Sequence, residues 1–436
     1  MPNSIVSTTE NLNKLTAFRQ TVYQQFGPAR DALFELSDAV LLSQQVNSFA
    51  ELALCPAFRR GWPSLYEALQ DSRLDRSKLL DTYLAQMPMN HPPLLMGDHT
   101  AWSRPRAYSL RERTIEHQPT PIPGAKPITV GQGYSTIAWV PEAQGSWALP
   151  LLHERLASQD KPITKAAQQL KQVCGRIPER CLALFDAEYG CAPFIQQTAE
   201  VPCDVVVRLR PNLCLFCAPP AYRGRGRPAV HGRKFKLKDA RTWGKPTATL
   251  ELSDPDLGPV RVSLWADLHF RKAAGHSFWV LRLERLQARN TRRDQRVVWL
   301  AWAGHPPPPL AEWWKVYFRR FAGDHWHRFA KQSLYWTLPR LKTPEQSERW
   351  SDLMPFLTWQ VWLARAVVAD RPLPWQKKQV MLSPGRVRQS LGSIWMQVGT
   401  PAQIPKLRGK SPGWPIGRQR QRAQRFPIVK KRPRPN

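Results

Sequence analysis

Three aspartates stand where a folded chain could bring them together. Asp98 is predicted at the end of the first strand, in LLMGDHT, and Asp186 at the end of a later strand, in LALFDAEYG. Asp324 lies in a segment whose apolar residues recur at helical spacing. Carboxylates at strand ends and on one helix face can hold two divalent cations, which activate a water or a 3′-hydroxyl for in-line attack on phosphate. Each aspartate alone could equally cap a turn or pair with an arginine, so this prediction depends on the three together.

The segment YFRRFAGDHWHRFAK, residues 317–331, places Asp324 among basic neighbours. At about 100° per residue, four of its side chains fall in a stripe roughly 60° wide on one face of a helix: Tyr317, Arg320, Asp324 and Lys331. A solvated polar face with local ion pairs is the alternative interpretation. We expect His325 and His327 to point to other faces and to lie at the surface or near phosphate rather than to bind metal.

Positive charge dominates the composition. Of 436 residues, 64 are Lys or Arg and 33 are Asp or Glu, which gives a formal net charge of +31. A compact chain with this imbalance repels itself unless a polyanion lies nearby, so nucleic acid is the expected partner. A basic RNA- or ribosome-associated protein is an alternative that charge alone allows. We expect no membrane contact, because the sequence has no 18-residue apolar run and no lipidation motif.

The cysteines indicate a reducing compartment. Seven are present, an odd number, and the N-terminus lacks the pattern of a signal peptide, so we expect a cytoplasmic protein with free thiols. Cys214 and Cys217 have the spacing of zinc ligands, with His231 as the nearest further donor. Since no second pair follows at a suitable distance, we expect ordinary buried cysteines.

Pattern changes divide the chain into five segments. Residues 1–88 read as short helices with tight turns, which can form a DNA-end-binding domain, although small bundles without DNA contacts share this pattern. Residues 89–209 alternate strands with a helix and form the first part of a mixed α/β sheet, which residues 297–375 complete. Residues 210–296 predict a β-rich insertion. Residues 376–436 are rich in Pro, Gly and basic residues, which predicts a basic, largely disordered tail that binds phosphates.

The insertion begins with a loop dense in Arg, Lys and Gly. Within it, Arg225-Gly226-Arg227-Pro228 matches the core of an AT-hook, an extended segment whose arginines enter a narrow minor groove. A general phosphate-binding loop fits the same residues. Either interpretation makes Arg225 and Arg227 DNA-binding residues.

The order of these elements, together with the helix motif, resembles the DDE transposases of bacterial insertion sequences, which belong to the ribonuclease-H-like integrase superfamily. One branch of that family carries Tyr-x2-Arg-x3-Glu-x6-Lys on the helix with the third acid. Tyr317, Arg320 and Lys331 match this motif at the same spacing, and Asp324 stands at the glutamate position. The resemblance implies a ribonuclease-H-like mixed sheet with a β-rich insertion, an N-terminal helical domain and a basic tail.

The resemblance also implies roles for the matched residues. Two ions, Mg²⁺ or Mn²⁺, would be held by the three acids Asp98, Asp186 and Asp324. Tyr317 and Arg320 would hold DNA phosphates near the cut end, and Lys331 would contact the backbone further along. The protein would be a DNA transposase that cuts at terminal inverted repeats and joins the freed 3′-hydroxyls to target DNA. It would act as a homodimer on DNA in the bacterial nucleoid.

One residue departs from the motif. Aspartate at 324 is one methylene shorter than glutamate, and a misplacement near 1 Å can cost on the order of a hundredfold in rate. Three explanations are open: the backbone approaches more closely, Glu188 helps to hold the metal, or the enzyme is impaired. The third would make the protein a transposase relic that only binds DNA.

Overall fold

Runs of β-branched, leucine and aromatic residues form the strands of one large mixed sheet, and amphipathic segments form helices around it. The structure, a computed structural model, describes residues 2–88, 91–118, 126–222, 224–289, 291, 295–406, 413, 415–419 and 421–430. None of the helices in these ranges combines the length and the apolar character that a bilayer crossing requires.

The strands within the described residues are β1 (Leu94–Ser103), β2 (Thr114–His117), β3 (Ile128–Trp139), β4 (Leu149–Arg155), β5 (Cys181–Phe185), β6 (Cys203–Leu209), β7 (Cys214–Phe216), β8 (Lys234–Lys236), β9 (Ala248–Asp254), β10 (Gly258–Phe270), β11 (Phe278–Arg285) and β12 (Val297–Ala303). The α-helices are α1 (Pro2–Gln25), α2 (Arg30–Leu42), α3 (Pro63–Asp71), α4 (Arg76–Leu84), α5 (Pro162–Cys174), α6 (Ala192–Thr198), α7 (Trp313–Phe318), α8 (Phe321–Gln332), α9 (Pro344–Ala364), α10 (Pro384–Ser390) and α11 (Trp395–Val398). Short 3₁₀ turns cover Phe49–Leu54, Ala240–Thr242 and Leu391–Ser393.

The sheet has the order β2-β3-β1-β5-β6-β12-β11-β10-β7-β8, with β4 added to β3 and β9 to β10. Strand β3 runs antiparallel to β1 and β4, whereas β5 and β6 run parallel to β1. Strands β1, β3 and β4 form an antiparallel meander, and the parallel strands β5 and β6, each preceded by a helix, follow it. This arrangement is consistent with a ribonuclease-H-like fold. The predicted mixed α/β class is confirmed.

The β-rich insertion extends this sheet. Strand β12 pairs antiparallel with both β6 and β11, so the sheet continues from the meander core into the insertion. The sequence prediction missed β2, a four-residue strand at the far edge. The segment boundaries at 88, 209, 296 and 375 stay predictions.

The N-terminal helices share their hydrophobic core with α9. The rings of Phe18, Phe26 and Phe34 lie 6.0, 5.3 and 5.6 Å from the ring of Phe356 on α9. Helix α9 is buried along most of its length and packs its other side against β4. The N-terminal helices and the sheet are therefore joined through one central helix.

The prediction of a largely disordered segment from residue 376 is wrong for its described part. Helices α10 and α11 form there, and Arg386 makes two hydrogen bonds of 2.9 and 2.8 Å to the carboxylate of Asp370. The buried Arg388 donates to the carbonyl of Val40 at 2.9 Å. These arginines stabilise the protein itself, because folded partners satisfy their donors.

A later part of the same segment adds to the edge of the sheet. The amide of Val429 donates to the carbonyl of Arg113 at 2.8 Å, and Val429 forms a parallel bridge with Thr114 on β2. The apolar residues 426–429 interrupt the basic run, which explains why this stretch can pair with an edge strand. The basic residues Arg408, Lys410, Arg420, Lys431, Arg432 and Arg434 lie outside the described residues.

A buried ion pair ties several of these elements together. Arg19 on α1 lies 3.1 Å from the carboxylate of Asp38 on α2, and both side chains are almost fully buried. Arg19 also donates to Gln360 on α9 and, at 2.9 Å, to the carbonyl of Gly399 after α11. Burial raises the pKa of Asp38 to about 6 even though Arg19 lowers it.

We predict that Arg19→Leu destabilises the protein by about 3–5 kcal/mol, because it leaves the Asp38 carboxylate buried without a cation. Urea unfolding measures the loss. Lys14→Leu, which changes an exposed cation on the same helix, should shift stability by less than about 0.5 kcal/mol. The double variant Arg19→Leu with Asp38→Leu should recover part of the loss, and a double variant no more stable than Arg19→Leu would contradict this account.

Candidate active site

The first two acids lie side by side on neighbouring parallel strands. In the β1–β5 register Met96 is opposite Leu184. Two residues further along each chain stand Asp98 and Asp186, so both acids reach the same level of the sheet. Asp98 is still within β1, whereas Asp186 directly follows the end of β5. The prediction that Asp186 lies at the end of its strand agrees with this placement. The prediction that Asp98 ends the first strand is wrong, because β1 continues to Ser103 through its pairing with β3.

A glycine allows the close packing beside these acids. A Cβ atom on Gly97 would lie 1.9 Å from Cε1 of Phe185, which is an impossible contact. The Phe185 ring is fully buried and packs against the rings of Tyr189 and Phe194 at 4.9 and 4.6 Å. Because Gly97 precedes Asp98 and Phe185 precedes Asp186, this contact sets the separation of the two acids.

The segment with the third acid is two helices, not the single helix that the sequence predicts. Helix α7 ends at Phe318 and α8 begins at Phe321. Between them the amide of Arg320 donates to the carbonyl of Tyr317, and the amide of Gly323 donates to the carbonyl of Arg320. These i→i−3 bonds tighten the chain into a 3₁₀-like turn, which helical periodicity alone does not reveal.

Three polar contacts fix α8 against the rest of the core. At its start, Arg319 donates to the carbonyls of Val140 and Glu142, at 3.2 and 3.1 Å. Near its centre, the indole of Trp326 donates to Thr358 Oγ1 on α9 at 3.0 Å. At its end, Lys331 Nζ donates to Thr100 Oγ1 on β1 at 2.8 Å.

A second glycine brings α8 close to β1. A Cβ atom on Gly323 would lie 2.0 Å from Cε of Met96, a side chain that is 1% exposed. A larger residue here would have to displace the end of the Met96 side chain. Asp324 is the next residue, and its donor atom lies within 4.8 Å of that of Asp98, so the shorter side chain still reaches the cluster.

Asp98, Asp324 and His327 form a cluster of potential metal ligands. One donor atom from each residue lies within 4.8 Å of the donors of the other two. His327 Nδ1 is 3.6 Å from Asp98 Oδ2, and the His327 side chain is buried. The expectation that His327 points to another face is wrong, because residues at positions i and i+3 share a helix face. His325 is exposed, as expected.

Burial sets the protonation of this histidine. Burial lowers the pKa of His327 to about 3, and the positive charges of Lys331 and Arg320 lower it in the same direction. The imidazole is therefore neutral near pH 7, which leaves one ring nitrogen with a free lone pair.

Arg320 is the cation at the centre of the acids. Its guanidinium lies 3.8 Å from the carboxylate of Asp98 and 3.7 Å from that of Asp324. Burial lowers the pKa of Arg320, and Tyr317 and the three aspartates, including Asp186, raise it, with a net increase. The single positive charge of Arg320 thus offsets part of the negative charge of the acids.

Asp98 is under electrostatic strain. Burial raises its pKa from 3.8 to about 7. The charge of Arg320 and a hydrogen bond from the His99 amide lower this pKa, whereas the charges of Asp186 and Asp324 raise it. A divalent cation would relieve this strain by favouring the ionised carboxylate.

Asp186 lies beside the ligand cluster rather than within it. Its Oδ1 accepts a hydrogen bond from the Glu188 amide at 2.8 Å. The side chain of Glu188 is partly exposed and reaches to 4.0 Å from His99 Nδ1. His99 Nε2 lies 3.1 Å from the buried Glu116 carboxylate. Glu188 therefore lies next to the site, in contact with His99.

Two further motif residues are held by protein contacts. Burial raises the pKa of Tyr317, and the hydrogen bond from Arg320 lowers it in part. The buried Tyr317 hydroxyl thus contacts Arg320, not an open surface on which DNA could lie. Lys331 is half-buried, donates to Thr100 and lies 5.8 Å from the Trp336 ring.

The basic loop of the insertion is exposed. Arg225 and Arg227 lie at the surface between β7 and β8, where Gly224 and Gly226 have φ of 81° and 74°. The loop therefore turns, whereas an AT-hook would be extended.

Cys214 and Cys217, which have the spacing of zinc ligands, belong to no cluster of metal ligands among the described residues. The cysteines there have free thiols, and His231 Nδ1 lies 3.0 Å from His269 Nε2.

Comparison with known families agrees with this geometry. The family described as DDE superfamily endonuclease matches residues 21–267, more than half of the chain. The chain belongs to this family. No curated protein matches the sequence. The match contains Asp98 and Asp186 and ends before α7, so the Tyr-x2-Arg-x3-Glu-x6-Lys motif lies outside it and stays a prediction.

Family membership bears on the chemistry of the cluster. Because the chain belongs to this family, it has a nuclease- or transposase-type function. DDE endonucleases typically use divalent metals. The donor set fits such an ion, because two carboxylates and a neutral imidazole offer donor atoms within 4.8 Å of one another. The histidine was missed from the sequence, although the i, i+3 spacing to Asp324 was available as a signal.

We predict that Gly97→Ala weakens both the fold and the binding of divalent cations. The added methyl group cannot fit against Phe185, so β1 and β5 must shift, at a cost of about 1–3 kcal/mol. Thermal unfolding and Mn²⁺ titration calorimetry measure the two effects. Gly275→Ala, where an added Cβ meets no atom within 4 Å, is the matched control. Wild-type Mn²⁺ affinity in Gly97→Ala would show that this contact does not position the acids.

We predict that Asp98→Asn stabilises the metal-free protein at alkaline pH. The folded pKa of Asp98 is above its unfolded value, so the wild type loses stability as pH rises from about 4 to 7 and carries the full penalty above pH 7. In EDTA, Asp98→Asn should be more stable than the wild type at pH 8 by on the order of 2–4 kcal/mol, and by much less at pH 5. Urea unfolding at both pH values measures this difference. An equal gain at both values would exclude the ionised carboxylate as its cause.

Proposed function

We propose that this protein is a DNA transposase that cuts the ends of its element and joins the freed 3′-hydroxyls to target DNA. The observation that carries the proposal is the convergence of Asp98 and Asp324, with donor atoms within 4.8 Å, at the level of the sheet where Asp186 also lies. Membership of the DDE superfamily endonucleases supports the nuclease chemistry. The Tyr-Arg-Glu-Lys motif, with aspartate in place of glutamate, supports assignment to that branch of the transposases.

The proposed cofactor is a pair of divalent cations, Mg²⁺ or Mn²⁺, held by Asp98, Asp186 and Asp324. Bound cations of this kind generate a nucleophile at neutral pH and offset the charge that develops on the phosphate and the leaving oxygen. The acids would supply hard oxygen ligands that hold the cations beside the scissile phosphate. No covalent intermediate with the protein is expected, so Tyr317 is not a nucleophile.

The basic residues have distinct proposed tasks. Arg320, which already contacts two of the acids, would hold a phosphate oxygen beside the cut. Tyr317 would position Arg320 through their hydrogen bond, and Lys331 would hold the DNA backbone further along. The exposed Arg225 and Arg227 would contact DNA outside the site. The partners are the terminal inverted repeats and target DNA, with the protein acting as a homodimer in the bacterial nucleoid.

The alternative is a transposase relic that binds DNA without cutting it. Aspartate at position 324 favours this alternative, because its side chain is shorter than the glutamate of the motif. The convergence of Asp324 with Asp98, with donors within 4.8 Å, argues for the active enzyme, because the shorter side chain still reaches the cluster.

Cleavage of DNA that carries the element's terminal repeats tests the proposal. With Mg²⁺ or Mn²⁺, we expect the wild type to release the element end with a free 3′-hydroxyl and to join it to a target plasmid. Asp98→Ala should lower the rate at least ~1000-fold, because the lost carboxylate acts with the other acids as a unit. Asp256→Ala, at an exposed acid in a turn of the insertion, is the control. Binding of the ends without any breaks would favour the relic, and preference for RNA of arbitrary sequence would contradict both.

A further inference from the structure

His327 presents a nitrogen donor to the two acids that converge most closely. Its Nδ1 lies 3.6 Å from Asp98 Oδ2, and it shares a group of donors within 4.8 Å with Asp98 and Asp324. Ligands of one cation about 2.1 Å from the ion are separated by roughly 3–4 Å. The observed separation has this size and is too long for a hydrogen bond between the imidazole and the carboxylate.

The protein holds this ring by packing and leaves its nitrogens available. The side chain is 7% exposed, and the ring packs against that of Trp326 at 5.1 Å between centroids. Among the described residues, Nε2 is buried and has no hydrogen-bond partner. A buried imidazole without partners normally loses free energy, so its presence beside two carboxylates calls for a function.

We propose that His327 is a nitrogen ligand of the cation held by Asp98 and Asp324, and that it makes this site prefer Mn²⁺ to Mg²⁺. The inference rests on the proposed function of the three acids as metal ligands. It assigns two oxygen donors and one nitrogen donor to the ion nearest α8, and it leaves Asp186 beside that ion.

The metal preference follows from the donor type. Mg²⁺ is a hard ion that prefers oxygen ligands in an octahedral shell, and it binds imidazole weakly. First-row transition ions accept imidazole more readily, and Mn²⁺ also suits carboxylates. A mixed site of two carboxylates and one imidazole therefore favours Mn²⁺ over Mg²⁺ more than a site of acids alone would.

Pulsed EPR of the full-length protein loaded with Mn²⁺ tests the assignment without any substitution. A directly bound imidazole produces ¹⁴N modulation of the Mn²⁺ echo, and growth with ¹⁵N-histidine should replace it with the ¹⁵N pattern. We expect this replacement in the wild type. Bound Mn²⁺ without histidine modulation would overturn the proposal, whatever the activity of the enzyme.

Two variants identify which histidine is bound. His327→Gln should abolish the modulation and raise the Mn²⁺ dissociation constant at least ~10-fold, while the Mg²⁺ constant changes less than about twofold. His325→Gln, the exposed neighbour on the same helix, should keep both the modulation and the affinity. Modulation that persists in His327→Gln would overturn the assignment. If His327→Gln does not fold, the isotope experiment on the wild type still decides whether a histidine is a ligand.

The design separates this inference from the proposed function. If Mn²⁺ binds and Asp98→Ala abolishes binding, but no histidine modulation is seen, the acids remain the metal site and only the role of His327 fails. If the wild type binds neither Mn²⁺ nor Mg²⁺ and cuts no DNA, the proposed function and the inference fail together.

Discussion

The close contact between α8 and β1 is the constraint on which the site depends. Gly323 lets the helix backbone approach Met96, and the bond from Lys331 to Thr100 holds the far end of the helix to the same strand. In this arrangement the donors of Asp324 and Asp98 lie within 4.8 Å of each other, although aspartate is one methylene shorter than glutamate. The packing of α8 on β1, rather than side-chain length, brings the two acids together.

The short distances between the acids concentrate negative charge where little water reaches them. Asp98 is largely shielded from water beside two further acids, and its pKa is raised chiefly by this burial and further by the charges of Asp186 and Asp324. Arg320 reduces this repulsion, because one guanidinium lies within 4 Å of both Asp98 and Asp324. The arrangement is less stable than a neutral one would be, as is common where residues are placed for chemistry. Each cation that enters must compete with Arg320 for the same carboxylates, so cation binding and the position of this arginine are coupled.

The sequence predicted those features that depend on local pattern. The core strands β1, β3, β4, β5 and β6 follow from apolar runs, and the DDE family was recognised from acids after two of those runs together with the helix motif. The features it missed depend on contacts distant in sequence or on small departures from ideal geometry. The break between α7 and α8 comes from two i→i−3 bonds, and the burial of His327 depends on the helix lying against β1. Neither can be read from a hydrophobic period.

The C-terminal segment shows a different kind of failure. Its basic composition predicted disorder and phosphate contacts, yet Arg386 and Arg388 are buried with protein partners. Composition gives the number of charged side chains but not their positions in the fold. The apolar residues at 426–429 lie where part of the segment pairs with the edge strand β2. The fold of a basic segment depends on acceptors supplied elsewhere in the molecule, which only the tertiary structure identifies.

This distinction separates two effects of the +31 net charge. Long-range attraction of DNA depends on the sum of all charges, and a buried arginine bound to a carbonyl, such as Arg388, still contributes to it because its partner is neutral. Direct phosphate contacts, and the counterions released with them, depend only on cations at the surface, such as Arg225 and Arg227. The net charge therefore describes the long-range electrostatic field, but it overstates the number of direct phosphate contacts. Under the proposed function, the net charge would draw DNA towards the protein, and only the cations at its surface would contact the phosphates.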